Sequence, residues 1–173
     1  FTFVCLVRLE SSSMKTVQQS LYMPKIDNLN SLLIKIPNNK MRRLQLIHNA
    51  AARIVTGTKR REHITPILKQ LHWLPIPARI EYKVLLTTFK ALNGLAPDYL
   101  KKLFSYKIYK KATKSSKLKL LDEPVMRLAT IGDRSFSAYA PIIWNKVAYD
   151  IRTIDSIDSF KTALKTFLFK GYY

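Results

Sequence analysis

Apolar residues recur at steps of three and four along most of the chain, the spacing of helices that bury one face. The clearest case follows Pro37. Met41, Leu44, Ile47, His48, Ala51, Ile54 and Val55 fall on one side, and Arg42, Arg43, Asn49 and Arg53 fall off it. Asn38 or Asn39 supplies an N-cap and Gly57 a natural stop. Residues 58–63 read as a polar, basic loop, and 65–71 as a short helix with Pro66 at its first position. His72-Trp73-Leu74-Pro75-Ile76-Pro77 reads as a rigid connector, because its prolines cannot donate within a helix. The strongest helix spans 78–93. Its wide face of Ile80, Tyr82, Val84, Leu85, Leu86, Phe89 and Leu92 places it at the centre of the core. Gly94 ends it, and Pro97 opens a short helix over 98–104. The last helix starts near Ser156, with Asp158 in its first turn, and is expected to bury Phe160, Leu164, Phe167 and Leu168.

The remaining segments are less periodic. Residues 1–13 show no clear period. Two short helical stretches fit 14–36, split at Pro24 and ended by Pro37. Residues 105–121 hold six lysines and no acid, without apolar spacing, and are expected to form a mobile basic loop. Residues 124–130 fit an extended segment. Phe136, Tyr139 and Trp144 are expected to pack onto the helices. The result is an all-α fold, a small bundle of about five or six helices in one domain.

Charge changes the picture. Thirty Lys and Arg against eleven Asp and Glu give a formal +19. A field of that size calls for a polyanionic partner, and nucleic acid is the first candidate. Anionic membrane is the second, since basic amphipathic helices also lie on lipid. No uncharged apolar stretch reaches about 18 residues, so no membrane span is expected. The single cysteine, Cys5, can build neither a disulfide framework nor a four-ligand zinc site. His48, His63 and His72 lack a metal-ligand pattern. No nucleophile–base arrangement and no glycine-rich phosphate loop is present. No cofactor is expected in this chain.

The candidate chemistry therefore lies in the cations. The first cluster is Lys40, Arg42, Arg43, Arg53, Lys59, Arg60 and Arg61, where arginine adds two-pronged phosphate geometry. The alternative is a solvated face. The second cluster lies in the 105–121 loop, with Lys110, Lys111 and Lys114 at its centre. Loose electrostatic attachment or a nuclear-import signal fits it. Trp73 fits a core plug or a stacking platform, and Tyr106 and Tyr109 fit stacking on single strands. His48, on the apolar face, reads as an interior histidine.

Several runs occur in a recognisable order. They include Arg43-Leu44-Gln45-Leu46-Ile47-His48-Asn49-Ala50-Ala51-Ala52-Arg53, then Leu71-His72-Trp73-Leu74-Pro75, then Lys90-Ala91-Leu92-Asn93-Gly94-Leu95-Ala96-Pro97. Gly132-Asp133-Arg134-Ser135-Phe136, Trp144-Asn145 and Ser159-Phe160-Lys161-Thr162-Ala163-Leu164-Lys165 follow. From about residue 27 onward the chain resembles the C-terminal, thumb and post-thumb region of non-LTR (LINE-type, jockey-like) retrotransposon reverse transcriptases. Residues 1–26 remain unplaced. Asn28 and Leu29 stand where that family usually has an aromatic residue and a cysteine. With residues 1–13 and the initial Phe1, this points to a truncated or decayed copy.

The resemblance implies a thumb-like helical region that holds RNA or an RNA–DNA duplex by its backbone. The parent activity, RNA-directed DNA synthesis, resembles that of polymerases that join Mg²⁺ ions through paired aspartates on a palm. No Asp-Asp pair exists here, so catalysis is not expected in this chain. A palm is an expected partner in the parent. An intracellular setting, in the nucleus or in a cytoplasmic ribonucleoprotein, is expected. An inert remnant of a transposable element is the alternative.

Overall fold

The computed structural model describes residues 24, 33–107, 119–125 and 132–173. Cys5, most of the two stretches expected over 14–36, Lys110, Lys111, Lys114, Tyr109 and residues 126–131 lie outside the described residues. The described part is all-α. In chain order it comprises α1 (Asn38–Thr56), α2 (Ile64–Gln70), α3 (Ile76–Leu92), α4 (Asp98–Lys101), α5 (Phe136–Lys146), α6 (Tyr149–Arg152) and α7 (Ile157–Tyr172), with a 3₁₀ turn at Gly132–Arg134. Five are true helices, and α4 and α6 are single turns. No strand forms among the described residues, only one antiparallel bridge between Tyr106 and Leu121.

Helix α1 starts at Asn38, one residue earlier than an Asn38 cap allows and two earlier than an Asn39 cap allows. Pro37, at φ −53° and ψ 140°, takes the N-cap position. Its carbonyl accepts from Lys40 N at 3.0 Å and Met41 N at 3.1 Å. Proline is already held at this φ and lacks an N–H that would go unpaired there, so it displaces Asn38 and Asn39 into the first turn. The buried face is also rotated from the expected one. His48, Ala51, Ala52 and Val55 are buried, whereas Ile47 is 48% exposed. Small alanines let α1 approach α2 and the connector closely. Ile67, Leu68 and Trp73 complete this satellite cluster.

The main core is organised by α3, which packs on α7, α5 and α1. Ile76, Ala78, Ile80, Val84, Leu85 and Phe89 are buried along it. Phe89 stacks on Phe160 of α7 at a centroid distance of 4.1 Å, and Trp144 of α5 lies 6.1 Å from Phe160. The expected last helix buries Phe160, Leu164 and Leu168, but Phe167 is 37% exposed and is not a core residue. At about 100° per residue, position 167 falls about 60° from the centre of the stripe set by 160, 164 and 168, at its rim, where the ring stays partly open to solvent. Ser156 sits at the N-cap of α7, although its side chain makes no cap hydrogen bond. Ser135, at the N-cap of α5, does accept from Ala138 N at 3.3 Å. Phe136 and Tyr139 pack partly buried against the main core, and Trp144 is fully inside it.

Three helices end in the same way. A residue at the helix cap or just after it adopts positive φ, and the next amide reaches back into the last turn. At α1 this residue is Gly57 (φ 68°), with Thr58 N bonded to Arg53 O at 3.1 Å. At α3 it is Gly94 (φ 70°), with Leu95 N bonded to Lys90 O at 2.8 Å. At α2 it is His72 (φ 52°), with Trp73 N bonded to Leu68 O at 2.9 Å. Glycine has no Cβ to oppose this conformation, and histidine does.

Candidate nucleic-acid interface

The outward face of α1 is read directly from exposure. Residues 42, 43, 46, 47 and 50 are exposed, at steps of about four, so Arg42 and Arg43 share one side with Leu46, Ile47 and Ala50. Lys40 is exposed one turn earlier. At the other end of α1, Glu62 N bonds to Lys59 O at 3.1 Å and closes a turn. Arg60 and Arg61 occupy its two central positions and are exposed. Among the described residues no carboxylate forms an ion pair with Lys40, Arg42, Arg43, Lys59, Arg60 or Arg61.

Arg53 has a different position. It is half-buried, and its guanidinium donates to Glu62 O at 3.0 Å. It therefore clasps the 58–63 turn onto the end of α1, and only part of its donor set faces outward. The structure thus brings Arg42 and Arg43 to one end of α1 and Lys59, Arg60 and Arg61 to the other, with Arg53 as a brace behind the second group. Lys110, Lys111 and Lys114 lie outside the described residues. The ends of their segment are held together: Lys107 N bonds to Leu120 O at 2.9 Å, and Asp122 N to Ser105 O at 2.8 Å.

The exposed Leu46 (59%) and Ile47 were not placed on this surface by the periodicity. Two adjacent seams, centred on 47 and on 48, fit the α1 pattern equally well. The contact of His48 with Trp73, at 5.3 Å between rings, selects the second. Trp73 is buried and acts as a core plug. His48 is interior.

A titratable cluster lies apart from these cations, where α3, α5 and α7 meet. Burial pushes the Glu81 carboxyl up from its ordinary 4.5, partly offset by its hydrogen bond with Tyr172 and by the charge of Lys146. Burial, reinforced by the Glu81 charge, pushes Tyr139 up to about 12. Burial, the Glu81 charge and their shared hydrogen bond push Tyr172 up as well. Lys35 pairs with Asp133 at 3.5 Å and lies 5.9 Å over the Tyr139 ring. The cluster reads as structural, since each group faces another group of the fold.

No group of three or more metal-ligating side chains occurs among the described residues. No described helix is long and apolar enough to cross a membrane. Searches for a matching family model, a similar curated protein and a similar solved structure return no match.

Proposed function

We propose that this chain is a non-catalytic, nucleic-acid-binding fragment with the character of a LINE-type reverse-transcriptase thumb, gripping RNA or an RNA–DNA duplex through backbone phosphates. The observation that carries the reading is the pair of exposed cation groups at opposite ends of α1. Arg43 and Gly57 bracket fourteen helical steps, roughly 21 Å at about 1.5 Å per residue. At the roughly 3.4 Å of axial rise per phosphate of a B-form strand that span covers about six phosphates, and somewhat more on an A-like RNA duplex of shorter rise. One rigid helix thus presents two clamps at fixed separation, with no base-reading residue required between them. The sequence-ordered resemblance adds the polymerase context, in which a palm would be the neighbouring protein partner and an intracellular ribonucleoprotein the setting.

The test is binding of the purified chain to a labelled RNA–DNA duplex across a salt series. The reading expects saturable binding that falls linearly in log–log salt. It further expects Arg42→Ala with Arg43→Ala to flatten that slope by roughly one to two units. An unchanged slope would reject the α1 surface as the site.

A second reading is favoured by Leu46 and Ile47, which expose apolar surface beside Arg42 and Arg43. This pairing suits a helix lying on anionic lipid. Flotation with phosphatidylserine vesicles, compared with neutral vesicles, tests it. Recruitment lost on Leu46→Ser with Ile47→Ser, while duplex binding is kept, would favour the lipid reading.

A further inference from the structure

The connector after α2 and the C-terminal half of α7 border a depression of about 330 Å³, lined by His72, Lys165, Thr166, Phe169 and Lys170. Lys165, Thr166, Phe169 and Lys170 follow an i, i+1, i+4, i+5 pattern, so one face of α7 presents a ring between two ammonium groups. His72 closes the aromatic side, its ring 6.0 Å from Phe169. Phe169 is braced from behind by Tyr173 at 4.8 Å. Tyr173 in turn donates its hydroxyl to Trp73 O at 2.9 Å. The aromatic floor is therefore held from both sides. Among the described residues neither Lys165 nor Lys170 forms an ion pair.

His72 supplies a second, independent observation. It occupies the helix-end position that glycine fills at α1 and α3, at φ 52°. Only Lys35 and Lys119 share positive φ among the described non-glycine residues. Strain kept by a side chain that the core does not use points to use of that side chain. The imidazole is exposed and faces the depression rather than the core.

We propose that this depression binds a nucleotide, its base stacked on Phe169 and His72 and its phosphate held by Lys165 and Lys170. The volume lies near the lower end of the roughly 300–1,000 Å³ range of small-ligand sites, matching one nucleotide rather than a duplex. A free phosphate would leave the rings unused, and a nucleoside would leave the two cations unused. The ligand chemistry is a base carrying a phosphate, either as a free mononucleotide or as one residue of a single strand. None of these side chains belongs to the α1 surface, so the pocket stands apart from the duplex-binding reading.

The experiment is calorimetric titration of the full chain with AMP, adenosine, inorganic phosphate and a short oligoadenylate. AMP is expected to bind at least about tenfold more tightly than adenosine or inorganic phosphate. Phe169→Leu and Lys165→Gln with Lys170→Gln should each weaken binding about fivefold or more, the scale of one lost stack. His72→Gly keeps the backbone and guards against misfolding as an explanation. It should also weaken binding about fivefold while the protein still melts cooperatively. Arg42→Ala with Arg43→Ala should leave AMP affinity unchanged. Tight AMP binding identifies the free mononucleotide. An inert AMP with an oligoadenylate that is weakened by Phe169→Leu identifies a strand residue. Equal binding of AMP and inorganic phosphate, or full affinity in His72→Gly, overturns the proposal.

Discussion

Asn145 grips the backbone of Leu121 with both ends of its amide. Leu121 N donates to Asn145 Oδ1 at 2.9 Å, and Asn145 Nδ2 donates to Leu121 O at 3.0 Å. The neighbouring Trp144 donates Nε1 to Lys119 O at 3.1 Å, and the Asn145 amide also reaches Glu123 Oε1 at 2.7 Å. Two adjacent side chains of α5 thus pin the far end of the lysine-rich segment, and Leu121 itself is fully buried. Asn145→Leu would leave a buried N–H and C=O unpaired, costing roughly 1–3 kcal/mol per group. A drop in melting temperature of several degrees and faster exchange of the Leu121 amide are the expected results. Protection at Leu121 equal to wild type would show that the clamp does not hold the segment.

Arg53 and Arg42 should separate in binding experiments, although they share one helix. Arg42→Ala removes an exposed cation and should lower the salt slope of duplex binding by roughly one unit with little effect on melting. Arg53→Ala removes the brace to Glu62 O, so its first effect should be structural, with exchange rising at residues 58–63. Equal slopes and equal protection in the two variants would contradict this division of labour.

Periodicity located α1, α2, α3 and α7, but α5 was expected only as an aromatic stretch packed onto the helices, because its mostly apolar run with Pro141 inside shows no single polar-apolar stripe. It also marked His48 as interior, and of the two roles open to Trp73 the structure selects the core plug. What else escaped it came from contacts distant in sequence. The N-terminus of α3 is capped by Gln45, whose Oε1 accepts from Ile76 N at 2.8 Å from 31 residues away. No local signal announces such a cap, so α3 was expected to start at Ala78 rather than Ile76. In the candidate interface the cations were visible as a run of charges. The bracing role of Arg53 was not, because it depends on where the turn at 59–62 folds back. The depression at His72 joins residues about 100 positions apart, which no one-dimensional pattern brings together.

His72→Gly should raise stability. At φ 52° a Cβ costs roughly 1–2 kcal/mol, and glycine avoids that cost. Glycine adds about 0.5–1 kcal/mol of chain entropy to lose on folding. The net gain is roughly 0–1.5 kcal/mol, or a melting temperature up to about 6 °C higher for a chain of this size. A lower melting temperature would mean that the imidazole contributes packing against Phe169 that outweighs the backbone strain.

Alkaline stability should be set by the phenols around Glu81. Tyr139 titrates ordinarily at 10.0 and is pushed up to about 12 in the fold, so the native state keeps a proton that the unfolded chain has lost. Between those values the unfolded state binds fewer protons, and stability must fall as pH rises. Tyr172 moves in the same direction and adds to the loss. Glu81 follows the same sign at lower pH. Its carboxyl is raised from 4.5, so the stability it contributes is present below that value and is lost as pH rises through its folded value. Replacing the charge by Glu81→Gln should therefore stabilise the protein at neutral pH. It should also let both phenols titrate closer to 10, making the alkaline limb shallower. Tyr139→Phe should flatten the limb between pH 10 and 12 and leave the neutral melting temperature nearly unchanged. Melts from pH 4 to 12, with ultraviolet titration of tyrosinate, measure both effects. Unchanged tyrosinate curves in Glu81→Gln would separate the carboxylate from the phenols and leave burial alone as the cause.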